Sequence, residues 1–173
     1  MAIRPILWHP DPRLKKPCAP VERVDDEVRA LMEDMLETMY DAPGVGLAAP
    51  QVGVLRRVVV MDVVKDEEAP REPLRLVNPE ITWASDDLSV YEEGCLSIPD
   101  EFADVERPAE VRVAYLDENG EAREMDCDGL LATCIQHEID HLDGKLFIDR
   151  IGPVKRSMIT GRMKKRKRER ALA

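Results

Sequence analysis

The stretch QHEIDHLDG, residues 136–144, sets two histidines four positions apart with a glutamate directly after the first. On a helix, His137 and His141 stand one turn apart on a shared face and can grip one small cation at metal–nitrogen distances of about 2.0–2.1 Å. Glu138, between that face and the apolar stripe, reaches a water on the ion without being forced to ligate. This is the pattern of a hydrolytic metal site with its own base. Two satisfied histidines on a half-buried helix are the plain alternative.

A catalytic site of this kind needs a third protein ligand and an open fourth position. Cys134 shares the histidine face but lies seven residues from His141. That is about 10 Å along the axis, a long reach for one ion. Cys95, in EEGCLSIP, is the better candidate. Gly94 lets the backbone approach closely there, and Leu96 offers a main-chain N–H beside the site. Cys18 and Cys127 read as small structural thiols. In GVGLAAPQVG, residues 44–53, glycines flank Val45 and Gln51 can aim its amide at a developing negative oxygen. The spacing matches neither a dinucleotide nor a Walker loop. Alone, this segment also reads as a tight turn after a helix.

The elements that must position these groups are legible in outline. The histidine helix begins around Asp128 and closes at Gly144, with Leu131, Ile135, Ile139 and Leu142 on one stripe. Gln136, Asp140 and Asp143 fall on the side expected to face solvent. Earlier, Val28, Leu31, Met32, Met35, Leu36 and Met39 recur at helical spacing, with aspartates before them and Pro43-Gly44 after. This stripe of methionines is core packing. Between the helices, RRVVVMDVV, LRLVNPEITW and LSVYEEGC read as strands, and alternating residues on either side of Asn119-Gly120 read as a hairpin. The pattern is a mixed one, with strands filling the middle.

At 173 residues, 44% of them hydrophobic, the chain is the size of one globular domain. It has no apolar run long enough for a membrane span, and MAIRPILWHPDPR lacks a secretory core, so a cytoplasmic location with reduced thiols is expected. Residues 155–170 hold nine Lys or Arg against one Glu, net +8, so with a chain total of −10 the remainder carries −18. Such a basic segment is either an electrostatic footprint for an anionic partner or a solvated helix.

Taken together, GVGLAAPQ, EGCLS and QHEIDH resemble, in order and spacing, the three signature motifs of the bacterial peptide deformylases. The likeness extends to PDPRL and APV near the start and covers nearly the whole chain. It implies an α+β fold with antiparallel sheets around a central helix bearing the H-E-x-x-H, and a C-terminal helix. The whole of residues 1–173 would form one catalytic domain, with a basic helix or tail from about 154. The implied activity is removal of the formyl group from the N-terminal methionine of nascent polypeptides, releasing formate, with a metal-bound water as nucleophile.

Residue by residue, the resemblance makes Cys95, His137 and His141 the metal ligands and Glu138 the general acid and base. Gln51 and the Leu96 N–H become oxyanion stabilisers, and Gly46, Glu93 and Gly94 substrate contacts. An apolar slot for methionine would be lined by Val45, Leu130 and Cys134 with Thr133 nearby. The family uses ferrous iron in the cell and accepts zinc, nickel or cobalt. Thr133 and Phe102 depart from the common pattern, in which an aliphatic residue and an arginine stand there. Arg107 matches a recurrent family arginine, or serves as an ion pair. The C-terminal helix of some relatives docks on the ribosome, a role open here to Arg162, Lys164, Lys165, Arg166, Lys167 and Arg168; no membrane or sequence-specific nucleic-acid partner is expected. Two rivals stand beside this reading: a zincin-type peptidase, for which DGKLFIDRIG supplies no third ligand, and a nucleic-acid-binding protein with a structural Cys-His-His site, which leaves Gln51 idle.

Overall fold

The structure, a computed structural model, describes residues 2–64 and 66–172. Helix α1, Asp26–Asp41, starts where the Asp25 carboxylate accepts from the Val28 N–H at 3.0 Å. An N-cap of this kind satisfies one of the free amides of the first turn. All six apolar positions of its stripe are buried.

Strands β1 (Gly46–Ala48), β2 (Val58–Met61), β3 (Leu74–Ala84), β4 (Leu88–Cys95), β5 (Ile98–Pro108), β6 (Val111–Leu116) and β7 (Ala122–Cys127) form two antiparallel sheets. One has five strands in the order β1-β2-β3-β6-β7, and the other pairs β4 with β5. In β2 the alternation of a strand sends Val58 and Val60 toward α1 while Val59 and Met61 join the cluster of the second helix. That explains an unbroken apolar run: both faces are covered. The Asn78-Pro79 pair, which reads as punctuation, is instead a bulge inside β3. Asn78 adopts φ 51°, and its amide exchanges hydrogen bonds with the Val21 backbone at 2.8 and 2.9 Å. The Asn119-Gly120 turn joins β6 and β7 with Gly120 at φ 78°.

Helix α2, Gly129–Leu142, lies between the sheets and carries the two histidines. Ile135, Ile139 and Leu142 pack with Val59, Met61, Leu76 and Val113. The expected solvent side of α2 is corrected in part, because Gln136 and Asp140 are buried and only Asp143 is exposed. The reason is the second sheet: the Gln136 amide donates to Pro108 O at 3.0 Å, and Asp140 meets Arg107 of β5. Helix α3, Pro153–Leu172, is largely exposed but buries Ile159 and Met163 against Leu14, Ile98, Val105 and Phe147. No helix among the described residues is long and apolar enough to cross a membrane.

Candidate metal centre

Two elements far apart in sequence supply the donors. His137 and His141 project from successive turns of α2, and Cys95 ends β4, where the β4–β5 register shifts. Their ligand atoms all lie within 4.8 Å of one another. Nε2 of His137 and Nε2 of His141 are 3.3 Å apart, and Cys95 Sγ is 3.4 Å from His141 Nε2. Bond lengths of about 2.05 Å to nitrogen and 2.3 Å to sulfur give tetrahedral edges of about 3.3 Å (N–N) and 3.5 Å (S–N). Two of the three edges therefore match those of a single tetrahedral cation, and the third pair lies within 4.8 Å.

The two rings sit in opposite electrostatic settings. Burial works against charge on His137, yet hydrogen bonds with Cys95 and Glu93 hold its pKa well above the usual range. Burial and the neighbouring His137 push His141 well below. His141 Nδ1 is buried with no hydrogen-bond partner among the described residues. Ligation needs both Nε2 atoms unprotonated, so metal binding and protonation compete for them.

Behind His137 stands a buried charge network. Glu93 Oε1 accepts from His137 Nδ1 at 3.0 Å, which orients the ring so that Nε2 faces the other two donors. Arg107 grips both oxygens of Glu93 at 2.7 and 2.9 Å and reaches Asp140 at 2.9 Å. Arg150 closes on Asp140 at 2.6 and 2.8 Å. Burial alone raises the Glu93 carboxyl, but the Arg107 and His137 hydrogen bonds outweigh it and keep it below the ordinary value. Arg107 is thus a buried structural cation, not a surface pair. The Glu93 carboxylate is taken up by Arg107 and His137.

Glu138 is buried, and burial pushes its carboxyl up to about 7. Oε1 lies 3.8 Å from His137 Nε2, and Oε2 has no hydrogen-bond partner among the described residues. A carboxyl poised near neutrality beside a metal site is suited to carry protons both ways. Gln51 sits in the short 3-10 turn Ala49–Val52, where its Oε1 accepts from the Ala48 N–H at 3.0 Å. That bond turns Nε2 toward the centre, 3.1 Å from Ser97 Oγ and 3.5 Å from Cys95 Sγ. Ser97 was not singled out in the sequence; its only signal is its place two residues after Cys95. The Leu96 N–H donates to no acceptor among the described residues.

A cleft of about 710 Å³ opens over this centre. Val45, Gly46, Leu130, Thr133 and Cys134 line it beside Gln51, Gly94, Cys95, Leu96, His137 and Glu138. Gly46 permits β1 to lie against α2: a Cβ there would stand 2.9 Å from Cys134 Sγ and 3.1 Å from Glu138 Cδ. Cys134 lies outside the donor cluster, with its thiol 3.8 Å from Val45 O. Burial raises the Cys18 and Cys127 thiols to about 11, as suits inert packing.

Residues 3–157 match the family model for polypeptide deformylase. A peptide deformylase of Methylocella silvestris is 59% identical over 95% of this chain and 85% of its own. The crystal structure of a peptide deformylase from Legionella pneumophila superposes with a TM-score of 0.90 at 48% identity, covering 99% of each chain. The peptide deformylase of Ehrlichia chaffeensis in complex with actinonin gives 0.92 at 40% identity, covering 97% of this chain and 99% of that one.

Proposed function

The chain belongs to the polypeptide deformylase family, and from that premise we propose how its own residues perform the family's reaction. The protein is an enzyme, a metal-dependent hydrolase that removes the formyl group from the N-terminal methionine of nascent polypeptides and releases formate. The observation that carries the reading is the Cys95, His137 and His141 donor set with tetrahedral spacing beside the unligated Glu138.

Cys95, His137 and His141 would hold a divalent cation, which when bound would supply Lewis acidity to the formyl carbonyl and lower the pKa of water. Glu138 takes a proton from the attacking water and hands it to the departing amine nitrogen. Water and formamide become formate and a free amine, with no other reactant. Gln51 Nε2 and the Leu96 N–H donate to the formyl oxygen as charge builds there; loss of one such donor costs about 10²- to 10³-fold in rate. Glu93 and Arg107 hold the His137 ring. Val45, Leu130, Thr133 and Cys134 form the slot for the methionine side chain, and the main chain at Gly46 and Gly94 flanks the peptide. Formate release from formyl-Met-Ala-Ser that stops with a chelator and never occurs from the unformylated peptide tests this directly; release insensitive to chelator overturns it.

The same reading takes residues 1–173 as one catalytic unit, and places it in the cytoplasm, where Cys18, Cys127 and Cys134 stay reduced and Cys95 is available to a metal. Ferrous iron is the metal it assigns, with zinc, nickel or cobalt as substitutes. Thiolate and imidazole suit several late divalent ions. Metal analysis of anaerobically purified protein tests it. The ribosome is the assigned partner of α3, through Lys164, Lys165, Lys167 and Arg168. These four are exposed and make no ion pair among the described residues, whereas Arg162 and Arg166 are turned onto Glu101 and Asp100. Reversing the four outward charges should abolish co-sedimentation with ribosomes at low salt, and unchanged co-sedimentation would end the idea.

A further inference from the structure

Cys95 pairs with Ile98 across the β4–β5 hairpin, while Glu93 pairs with Ala103. Between those pairs the four residues Pro99–Phe102 stand opposite Gly94 alone. The segment is a long bulge without the regular ladder that fixes its neighbours. Asp100 within it adopts φ 63°, the left-handed region that aspartate tolerates better than most residues. All four bulge residues line the cleft. The ring of Phe102 lies where a Cβ on Gly94 would approach it to 2.7 Å, so the bulge leans on the strand that carries Cys95.

What holds the bulge comes from α3. Arg162 grips Glu101 through two hydrogen bonds of 2.6 and 2.8 Å. Arg166 donates to Pro99 O and lies 3.1 Å from Asp100 Oδ2. The guanidinium groups of Arg166 and Arg170 sit 5.3 and 4.2 Å from the centre of the Trp8 ring. Trp8 and Arg170 also line the cleft. Ile159 and Met163 of the same helix are buried with Ile98, Ala103 and Val105 of β5, so α3 is seated before its arginines reach the bulge.

We propose that Arg162 and Arg166 are positioning residues for peptide recognition: by fixing Pro99–Phe102 on α3 they set the cleft wall that meets the substrate residues following the formyl-methionine. The inference rests on the reading of the cleft as a peptide site. The methionine slot is set by α2 and by Val45, just before β1, and the bulge faces the same space from the β5 side, where a chain leaving the slot must pass. A bidentate arginine–carboxylate pair fixes both distance and angle, which a lysine cannot reproduce.

The test compares formyl-Met amide with formyl-Met-Ala-Ser-Thr on the full chain loaded with metal. The Arg162→Ala/Arg166→Ala variant should raise KM for the longer substrate about 5- to 10-fold, leaving kcat and the KM of the amide within about 2-fold. Arg162→Glu should act in the same direction, and Arg162→Glu combined with Glu101→Arg should bring the longer substrate's KM back to within about 2-fold of wild type. These pairs are partly exposed and contribute little to stability, so the variants fold; should the double alanine variant unfold, the charge swap decides. An unchanged KM for the longer peptide, an equal rise for both substrates, or no rescue by the swap would overturn the role of α3 alone. Failure of the wild type to release formate from either substrate would overturn the peptide reading as well.

Discussion

Arg107 offers the sharpest perturbation of the structure behind the metal centre. Its side chain is 2% exposed, and its partners Glu93 and Asp140 are 4% and 9% exposed. Arg107→Met keeps the volume and removes the charge. Asp140 retains Arg150, but Glu93 is left in a water-poor site with His137 as its one remaining side-chain partner among the described residues. Stripping one member from a buried ion pair costs about 3–5 kcal/mol, mostly the penalty of the charge left behind. At about 2–4 °C per kcal/mol for a domain of this size, the melting temperature should fall by about 6–20 °C. Arg150→Met is the control. Its side chain is 39% exposed and Asp140 keeps Arg107, so a loss of up to about 1 kcal/mol, or about 2–4 °C, is expected. Because Glu93 orients His137, Arg107→Met should also weaken metal binding about 10- to 100-fold. Thermal unfolding and metal titration of both variants check this. Equal melting shifts in the two variants, or intact metal affinity in Arg107→Met, would refute the reasoning.

Gly46→Ala should destabilise the protein by about 1–3 kcal/mol and raise KM for formyl peptides, because the new methyl crowds Cys134 and Glu138. Adding Cys134→Ala should restore part of the stability in urea unfolding, and no recovery would place the conflict elsewhere. Burial, helped by the Lys15 cation, depresses His9 from 6.5 to about 4. Its neutral form is the one the fold favours. The unfolded chain therefore takes up a proton first, so the His9 contribution is complete above pH 6.5 and drains away as pH falls toward 4. Replacing His9 with Gln should flatten the fall of the urea midpoint between pH 7 and pH 5, and an unchanged slope would contradict the assignment.

The site was legible where chemistry and local spacing coincide. H-E-x-x-H needs one helix and no distant partner to be recognised; reach along that helix weighs against Cys134, and Gly94 and the Leu96 N–H make Cys95 the better candidate. The stripe of α1 and the Asn119-Gly120 hairpin were readable for the same local reason. Strand β5 was not foreseen. Its inward positions Ala103, Val105 and Arg107 alternate correctly, but a charged residue at a buried position hides the period, and the Pro99–Phe102 bulge breaks it. The burial of Gln136 and Asp140 was hidden in the same way. A helix covered by two sheets buries polar side chains when partners wait across the gap, and those partners lie 28 and 33 residues away. Local pattern carries no trace of such pairs. Ser97, which accepts from the Gln51 amide, likewise becomes meaningful only once the two loops meet.

The most direct measurement is metal content and formate release made side by side on Glu138→Ala. With Cys95, His137 and His141 untouched, the variant should hold one equivalent of metal and release formate at least about 10²- to 10⁴-fold more slowly than the wild type. Formate release at the wild-type rate from the fully loaded variant would contradict Glu138 as the proton carrier. Loss of the metal would contradict its standing outside the ligand set.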